Sequence, residues 1–524
     1  MIHKIFKYSS LSWAFFLIGA ILLYLVFGTG LHGDDYSVIK HQTISDFLVL
    51  TPEKLGLLIT GVPTYLTFWW VYPVLGHDYQ WGYDLIKWLS HLVSLYMGWR
   101  FFAVFLSSER AFAAAVFFIL FPLHEVTTYW YMTAPYVFWP AVIMFSFYLF
   151  SVNRFKWGFT VGLLGAFSGY LSPPYTLGLG VIWFARREYR KGLLFITPGL
   201  LYVIYYFGIK IIFPFAEGRI NSGLDIFLFI KGMVMQVAGT IDSFVGPSAF
   251  IKLYYSATSI SLWSLFIAMG ILIFVWRYVG EQYPEGGLKV DRSEMNDLLM
   301  GAFSVLVLSM AMYALTGLYV PSPFNLANRS LVYGSLLVAV FLASLPINRK
   351  TLLVLWLIFV LPVFVLSDHW KAWNHDQLRI LDNIRGHEGL RALQKNDLLV
   401  VSGNIYNKLG PYSHIEFFSM SWVVSSIFSN FSTVEGAVAI TPAMTLEGDV
   451  LVDSKSGGRI PLTRNFYIYD SERNILSRGN RAAVESLIKD RPQEIRHWVQ
   501  LAKGTFIETA ILTLSPRLNY LFLK

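Results

Sequence analysis

Apolar residues run along this chain in long blocks with short polar interruptions, and the blocks set the first expectation. Runs near 11–28, 85–106, 110–122, 133–150, 158–171, 174–185, 192–213, 258–277, 297–318, 331–346 and 351–367 predict about eleven membrane-spanning helices. A helix crosses a hydrocarbon core of about 30 Å with about 20 residues. The stretch 224–250 is also apolar but carries Lys231, Gln236, Asp242 and interior glycines, which predicts an interfacial or re-entrant helix. After 367 the pattern changes. Leu378, Ile380, Leu381, Ile384 and Leu390 recur with helical spacing, while 398–401, 437–440, 466–469 and 506–514 read as strands. The expected fold is an all-α polytopic membrane bundle over 1–367, followed by a small extracytoplasmic α/β domain over 368–524.

Basic residues orient this bundle. With the N-terminus in the cytoplasm, Arg110, Arg154 with Lys156, the Arg186, Arg187, Arg190 and Lys191 cluster, then Arg277, Lys289, Arg292, Arg349 and Lys350 all face inward. That arrangement satisfies the positive-inside rule, and an odd span count sends the C-terminus outside. The loops predicted outside are 29–82, 123–132, 214–257 and 319–330, while those inside are mostly minimal. Chemistry is therefore expected on the extracytoplasmic face of a plasma (inner) membrane.

Composition supports the membrane class. Of 524 residues, 55% are hydrophobic and only 14% charged, against roughly 25% charged in soluble domains. The net charge of +8 sits in clusters between apolar runs, so it reads as a topology signal and not as a nucleic-acid surface. Cysteine is absent, which removes disulfides, thiolate metal sites and thiol nucleophiles. The first run follows Lys4 and Lys7 but lacks a small-x-small cleavage site, so it is expected to stay as a helix. The histidines show no metal-ligand spacing, and no glycine-rich phosphate loop is present.

The sharpest chemical feature is His32-Gly33-Asp34-Asp35-Tyr36, where the first helix leaves the membrane. Adjacent carboxylates there must be solvated, paired or metal-bound; a solvated loop start with an Asp cap fits the same residues. Further on, Gly76-His77-Asp78 precedes Trp81-Gly82-Tyr83-Asp84-Leu85-Ile86-Lys87-Trp88-Leu89-Ser90-His91-Leu92. This resembles the Gly…Tyr-His…Asn…His-Leu stretch that opens the second span of many GT-C glycosyltransferases, the superfamily of protein O-mannosyltransferases and lipid A aminoarabinose transferases. The resemblance covers topology over 1–367 and motifs at a few places. The usual Arg-Pro of the first loop stands here as Gly61-Val62-Pro63, and the usual His and Asn at the helix start are Asp84 and Lys87.

In that superfamily an acidic pair just after the first span carries catalysis, which the resemblance places on Asp34 and Asp35. It also implies a role for Glu125, beside His124 in the second outer loop, in positioning the acceptor or sharing a divalent ion with Asp35. An interfacial loop with Tyr129, Trp130 and Tyr131 as an aromatic belt is the competing reading. Arg329 with Tyr333 resembles an Arg…Tyr pair at the same place in related proteins. Its planar fork suits a phosphate, whereas Lys210 could serve as a point charge or simply snorkel.

The implied activity is transfer of a sugar, with inversion, from a polyprenyl-phosphate carrier to a glycan, lipid or protein acceptor of the cell envelope. One carboxylate base suffices for inversion. A retaining route would want two carboxyl groups about 5–5.5 Å apart. A polysaccharide polymerase or ligase would lean on late-loop arginines and a histidine, and a lipid or solute transporter on inverted repeats, of which none is evident.

Overall fold

The computed structural model describes residues 2–38, 71–72, 74–212, 225–282, 292–316, 319–345, 348–395, 397–454, 457–462, 465–491 and 494–514, with the side chains of 2–12, 38, 210, 212, 278–282, 292 and 514 excepted. Gly61-Val62-Pro63, Arg219 and Lys289 lie outside the described residues, as does the side chain of Lys210.

Helices occupy the apolar runs. They are α1 Ile2–Val26, α2 Gln80–Phe102, α3 Ser108–Ile119, α4 Pro135–Ser151, α5 Phe155–Ala166, α6 Ser172–Ala185, α7 Tyr189–Ile212, α8 Ile226–Phe244, α9 Pro247–Ala257, α10 Leu262–Gln282, α11 Arg292–Thr316 and α12 Val332–Ser344. Then α13 Arg349–Leu355 continues through a π-helical stretch, Trp356–Val360, into α14 Leu361–Gly386. Among the described residues, six helical stretches are long and apolar enough to cross a membrane: Tyr131–Ser151, Tyr189–Ile209, Ile226–Ala257, Ser293–Thr316, Leu326–Ser344 and Arg349–Gly386. The 12-residue helices α3 and α5 fall short of the roughly 20 residues a straight crossing needs.

Two of the helical stretches differ from the sequence expectation along the way from the bundle to the tail. The stretch 226–257 is long and apolar enough to qualify as a span, although it is interrupted where Gly246-Pro247 starts a new helix; proline serves as first helical residue because its missing N–H needs no partner there. The helix expected to begin the tail is instead the uninterrupted end of α14.

The chain divides into two compact units. The first holds the bundle helices, ending at Asp368. Its interior is aromatic and small-residue packing: Phe147 stacks on Trp183 at 4.5 Å, and a Cβ on Gly178 would lie 2.6 Å from the Val305 backbone nitrogen, so α6 and α11 approach at van der Waals contact only because position 178 has no side chain. The second unit comprises residues from 31, 324–326 and the chain from His369 onward. The acidic pair thus belongs with the C-terminal domain rather than with the bundle over 1–367.

In the second unit, β1 Leu398–Ser402 lies between β4 Gly436–Ala439 and β8 Phe466–Asp470, parallel to both, and β9 Ile475–Arg478 closes the edge antiparallel. Between β1 and β4 come the hairpin β2 Tyr406–Leu409 and β3 Tyr412–Glu416, then α15 Ser421–Phe431; a three-stranded meander, β5 Met444–Glu447, β6 Val450–Asp453 and β7 Arg459–Pro461, separates β4 from β8. Helix α16 Arg481–Asp490 adds Val484 to a core of Val400, Val438, Met444, Leu451, Phe466 and Ile468. Phe506–Leu514, expected as a strand, is a helix, α17. Ile507 and Ile511, one helical turn apart, pack with Leu512 on Val499 and Ala502, and Glu508 accepts from the Gly504 N–H at 2.6 Å. The i,i+4 spacing and that N-terminal carboxylate outweigh the β-branched content.

Candidate functional site

The acidic pair follows the end of α1. Asp35 opens a single helical turn, Asp35–Val38; it is fully buried, and its Oδ2 accepts from the His32 N–H at 3.0 Å. His32 in turn receives a bond from Gln377 Nε2 at 2.7 Å and packs edge-on against Trp370 at 4.6 Å. Asp34 differs from its neighbour. It is half-buried, and its Oδ1 accepts from Trp422 Nε1 of α15 at 3.0 Å. Ser37 Oγ donates to the Asp34 carbonyl at 2.7 Å, but no second side-chain partner reaches the Asp34 carboxylate among the described residues. One carboxylate is therefore structural in its bonding, and the other is oriented by a single neutral donor with an oxygen open.

Within the bundle, Asp84 and Lys87 form a sealed pair. The Asp84 carboxylate accepts from Gly28 N at 2.7 Å, Gly30 N at 3.0 Å and Lys87 Nζ at 2.8 Å. Lys87 also donates to Thr29 Oγ1 at 2.7 Å and to the carbonyls of Gly30 and Tyr129 at 3.0 and 2.8 Å. Gly28 and Gly30 both take positive φ, which permits the tight exit from α1. An acid and a base one helical turn apart thus complement one another and pin the same turn.

Glu125 lies in the buried connection between α3 and α4 and forms an ion pair with Lys252 of α9, which also donates to the Pro323 carbonyl. Both side chains are almost wholly buried. Such a pair is costly to break, because the survivor is a buried unpaired charge. The Lys252 ammonium stands where a shared divalent ion would have to neutralise Glu125, so these residues do not fit a metal. Among the described residues no group of three or more His, Asp or Glu side chains could hold one. His124 is fully buried, with its ring nitrogens 2.8 Å from Thr127 Oγ1 and 3.0 Å from the Phe118 carbonyl. Burial pulls its pKa down to about 4, outweighing the backbone carbonyls of Phe118 and His124 that favour the charged form. The imidazole is a neutral brace for the loop.

Arg329 sits in a 3-10 turn, Leu326–Leu331, that leads into α12. Its guanidinium lies 4.4 Å from the Tyr319 ring centre and 5.5 Å from that of Tyr136. Among the described residues no carboxylate pairs with it. Tyr333 supports this cage from behind: its hydroxyl donates to the Leu171 carbonyl at 3.2 Å, and its ring meets Tyr313, which packs on Tyr319. A cation held by ring faces keeps its N–H fork for another anion. Lys210 lies on α7.

The sequence did not single out Lys252, Trp422 or the two tyrosines, Tyr136 and Tyr319, whose rings hold Arg329. Lys252 did leave a trace. It shares the buried face of α9 with Ser248, Ala249 and Ser256, a small-residue stripe at i,i+4 spacing that marks a packed side, where a lysine demands a partner.

Comparison of the chain with known protein families, with curated proteins and with solved structures finds no match. The class that the fold itself defines is a protein with helices able to cross a membrane and a small C-terminal domain built on a mixed sheet.

Proposed function

We propose that this protein is a membrane glycosyltransferase of the GT-C type that moves a sugar from a polyprenyl-phosphate carrier to an extracytoplasmic acceptor with inversion. The observation that carries the reading is the Asp34 carboxylate, with Oδ1 fixed by Trp422 and Oδ2 without a partner among the described residues. A general base needs that combination of orientation and an open oxygen. In the proposed step Asp34 takes the acceptor hydroxyl proton, the oxygen bonds to the anomeric carbon, and the bond from that carbon to the carrier phosphate breaks. The phosphate leaves as an anion, and Arg329 is assigned to its charge. Asp35 holds the turn, and Glu125 with Lys252 fixes the second outer loop.

Eleven spans, a cytoplasmic N-terminus and an outer C-terminus belong to the same proposal, supported by the clusters of basic residues. A reporter fused after Lys524 should then be active only outside the cytoplasm; cytoplasmic activity would reverse the topology. The experiment that tests the function is mass spectrometry of cell-envelope glycans with and without the protein, beside transfer from a polyprenyl-phosphate sugar by the protein purified in nanodiscs. Loss of one sugar in the deletion and turnover in vitro are expected. An unchanged glycan profile with no turnover would favour a transporter.

A further inference from the structure

A cavity of 630 Å³ opens at the carboxyl ends of the parallel strands β1, β4 and β8. It lies among residues that follow each strand: Ser402, Gly403 and Asn404 after β1, Ile440 and Pro442 after β4, Glu472 and Arg473 after β8. The chain goes from β1 to β4 on one side of the sheet and later to β8 on the other, so β1 is flanked by strands reached in opposite directions. In open α/β sheets the crevice at such a reversal is where ligands bind. The volume falls in the range of small-molecule sites, about 300–1,000 Å³. Gly403 is at φ +81°, and a Cβ there would approach Glu472 Cγ to 2.8 Å, so the two strand-end loops meet at a distance only glycine allows.

The chemistry of the wall selects the ligand. Arg473 reaches Asp470 at 3.8 Å, and Glu494 pairs with Arg496. Beside those pairs the lining carries Glu472, Asp490, Lys408 and Arg491, two acids and two bases whose charges cancel in sum; Glu472 accepts from Asn404 N at 3.3 Å and Asp490 from Ser486 Oγ at 2.8 Å. Arg491 Nη1 donates to the carbonyls of Thr441 and Met444 at 2.9 and 2.7 Å, and its Nη2 has no partner among the described residues. A nucleotide is disfavoured on separate grounds. Phosphate sites of doubly wound sheets use a helix N-terminus directly after the first strand, whereas here β1 turns into the strand β2. Acceptors and donors side by side suit vicinal hydroxyls, which give and take bonds at once. Ile405, Ile440, Pro442 and Leu487 offer apolar surface to the C–H face of a ring. We infer that this cavity is a binding site for a neutral saccharide. The inference deepens the glycosyltransferase reading by giving the acceptor glycan a place in the C-terminal domain, and it rests on that reading only for its biological role.

The test uses the full chain in nanodiscs and reads binding alone, by saturation-transfer NMR with mannotriose, maltotriose and chitotriose, and with inorganic phosphate and AMP as controls. Saturable binding of at least one trisaccharide is expected. Ser486→Phe, on an exposed helical position that lines the cavity, should block it. Glu472→Gln and Asn404→Gly should each weaken it about tenfold or more, with unchanged thermal melting; glycine keeps the positive φ of Asn404 while deleting the amide. No binding by any of the three saccharides, equal binding in Ser486→Phe, or preferential binding of AMP or phosphate lost in that variant would overturn the site. Sugar transfer is assayed in parallel: binding without transfer sinks the reaction and supports the site, and transfer without binding does the reverse.

Discussion

The Lys87 ammonium lies 2.8 Å from the Asp84 carboxylate one helical turn away, and both side chains are shut off from solvent. Each also holds backbone groups of the turn at residues 28–30, so the pair acts as an internal clamp. Lys87→Met should cost about 3–5 kcal/mol of stability, the usual penalty for leaving a buried charge alone. Adding Asp84→Asn should restore part of it, because the amide oxygen still accepts from a backbone N–H. Chemical denaturation of the two single variants and the double variant measures this. Strictly additive losses would mean that the charges are not coupled.

Asp34→Asn should abolish transfer while leaving the melting temperature near wild type, since the amide keeps the shape and the Trp422 bond but cannot take a proton. Asp35→Asn should act differently. Its oxygen is buried against the His32 N–H, and an amide rotated the wrong way would set donor against donor, costing about 1–3 kcal/mol. Retained turnover in purified Asp34→Asn protein would remove the general base from this position.

Arg329→Ala should lower kcat more than it weakens donor binding, because charge on the leaving phosphate grows toward the transition state. Arg329→Lys should recover only part, lacking the planar fork that stacks between Tyr136 and Tyr319. Lys210→Ala serves as the comparison and is expected to be mild. Should Lys210→Ala be crippling and Arg329→Ala silent, the phosphate site lies on α7.

His124 gives a pH signature. Its pKa is about 4 in the folded chain against 6.5 for the free side chain. The stability it contributes is therefore complete above about pH 6.5 and is lost as pH falls toward 4, amounting to about 3 kcal/mol. Melting curves between pH 7 and pH 4.5 should show this loss, and His124→Gln should flatten the slope. Identical slopes in the two proteins would mean that His124 is not held neutral by burial.

Periodicity revealed the helices and three of the strands because each is set by the spacing of apolar residues within one segment. Val400, Val438 and Ile468 were readable as strand residues, yet nothing in their local pattern says that the three strands run parallel. Partners were less legible still. Glu125 was visible as an acid in an aromatic loop, but its counterion lies 127 residues away. Phe506–Leu514 misled because isoleucine, threonine and phenylalanine favour strands, while the Ile507–Ile511 contact that decides the matter depends on Val499 and Ala502. The acidic pair could be located from its place after α1, whereas the unequal burial of Asp34 and Asp35 depends on His32 and Trp422.

Asp368 fixes an order of events in synthesis. Its carboxylate accepts from Ser261 N and Ser264 Oγ at 2.9 and 2.8 Å, at the first turn of α10, and Ser264 Oγ also meets the Tyr24 hydroxyl of α1 at 3.0 Å. The residues it holds leave the ribosome 104 to 107 positions earlier. At about 5–20 residues per second, the start of α10 waits roughly 5–20 s for its acceptor. Through that interval the Ser261 N–H has to bond elsewhere, to water or lipid headgroups, while Ser264 Oγ can already meet Tyr24, and the linkage of α1, α10 and α14 closes only once α14 has emerged.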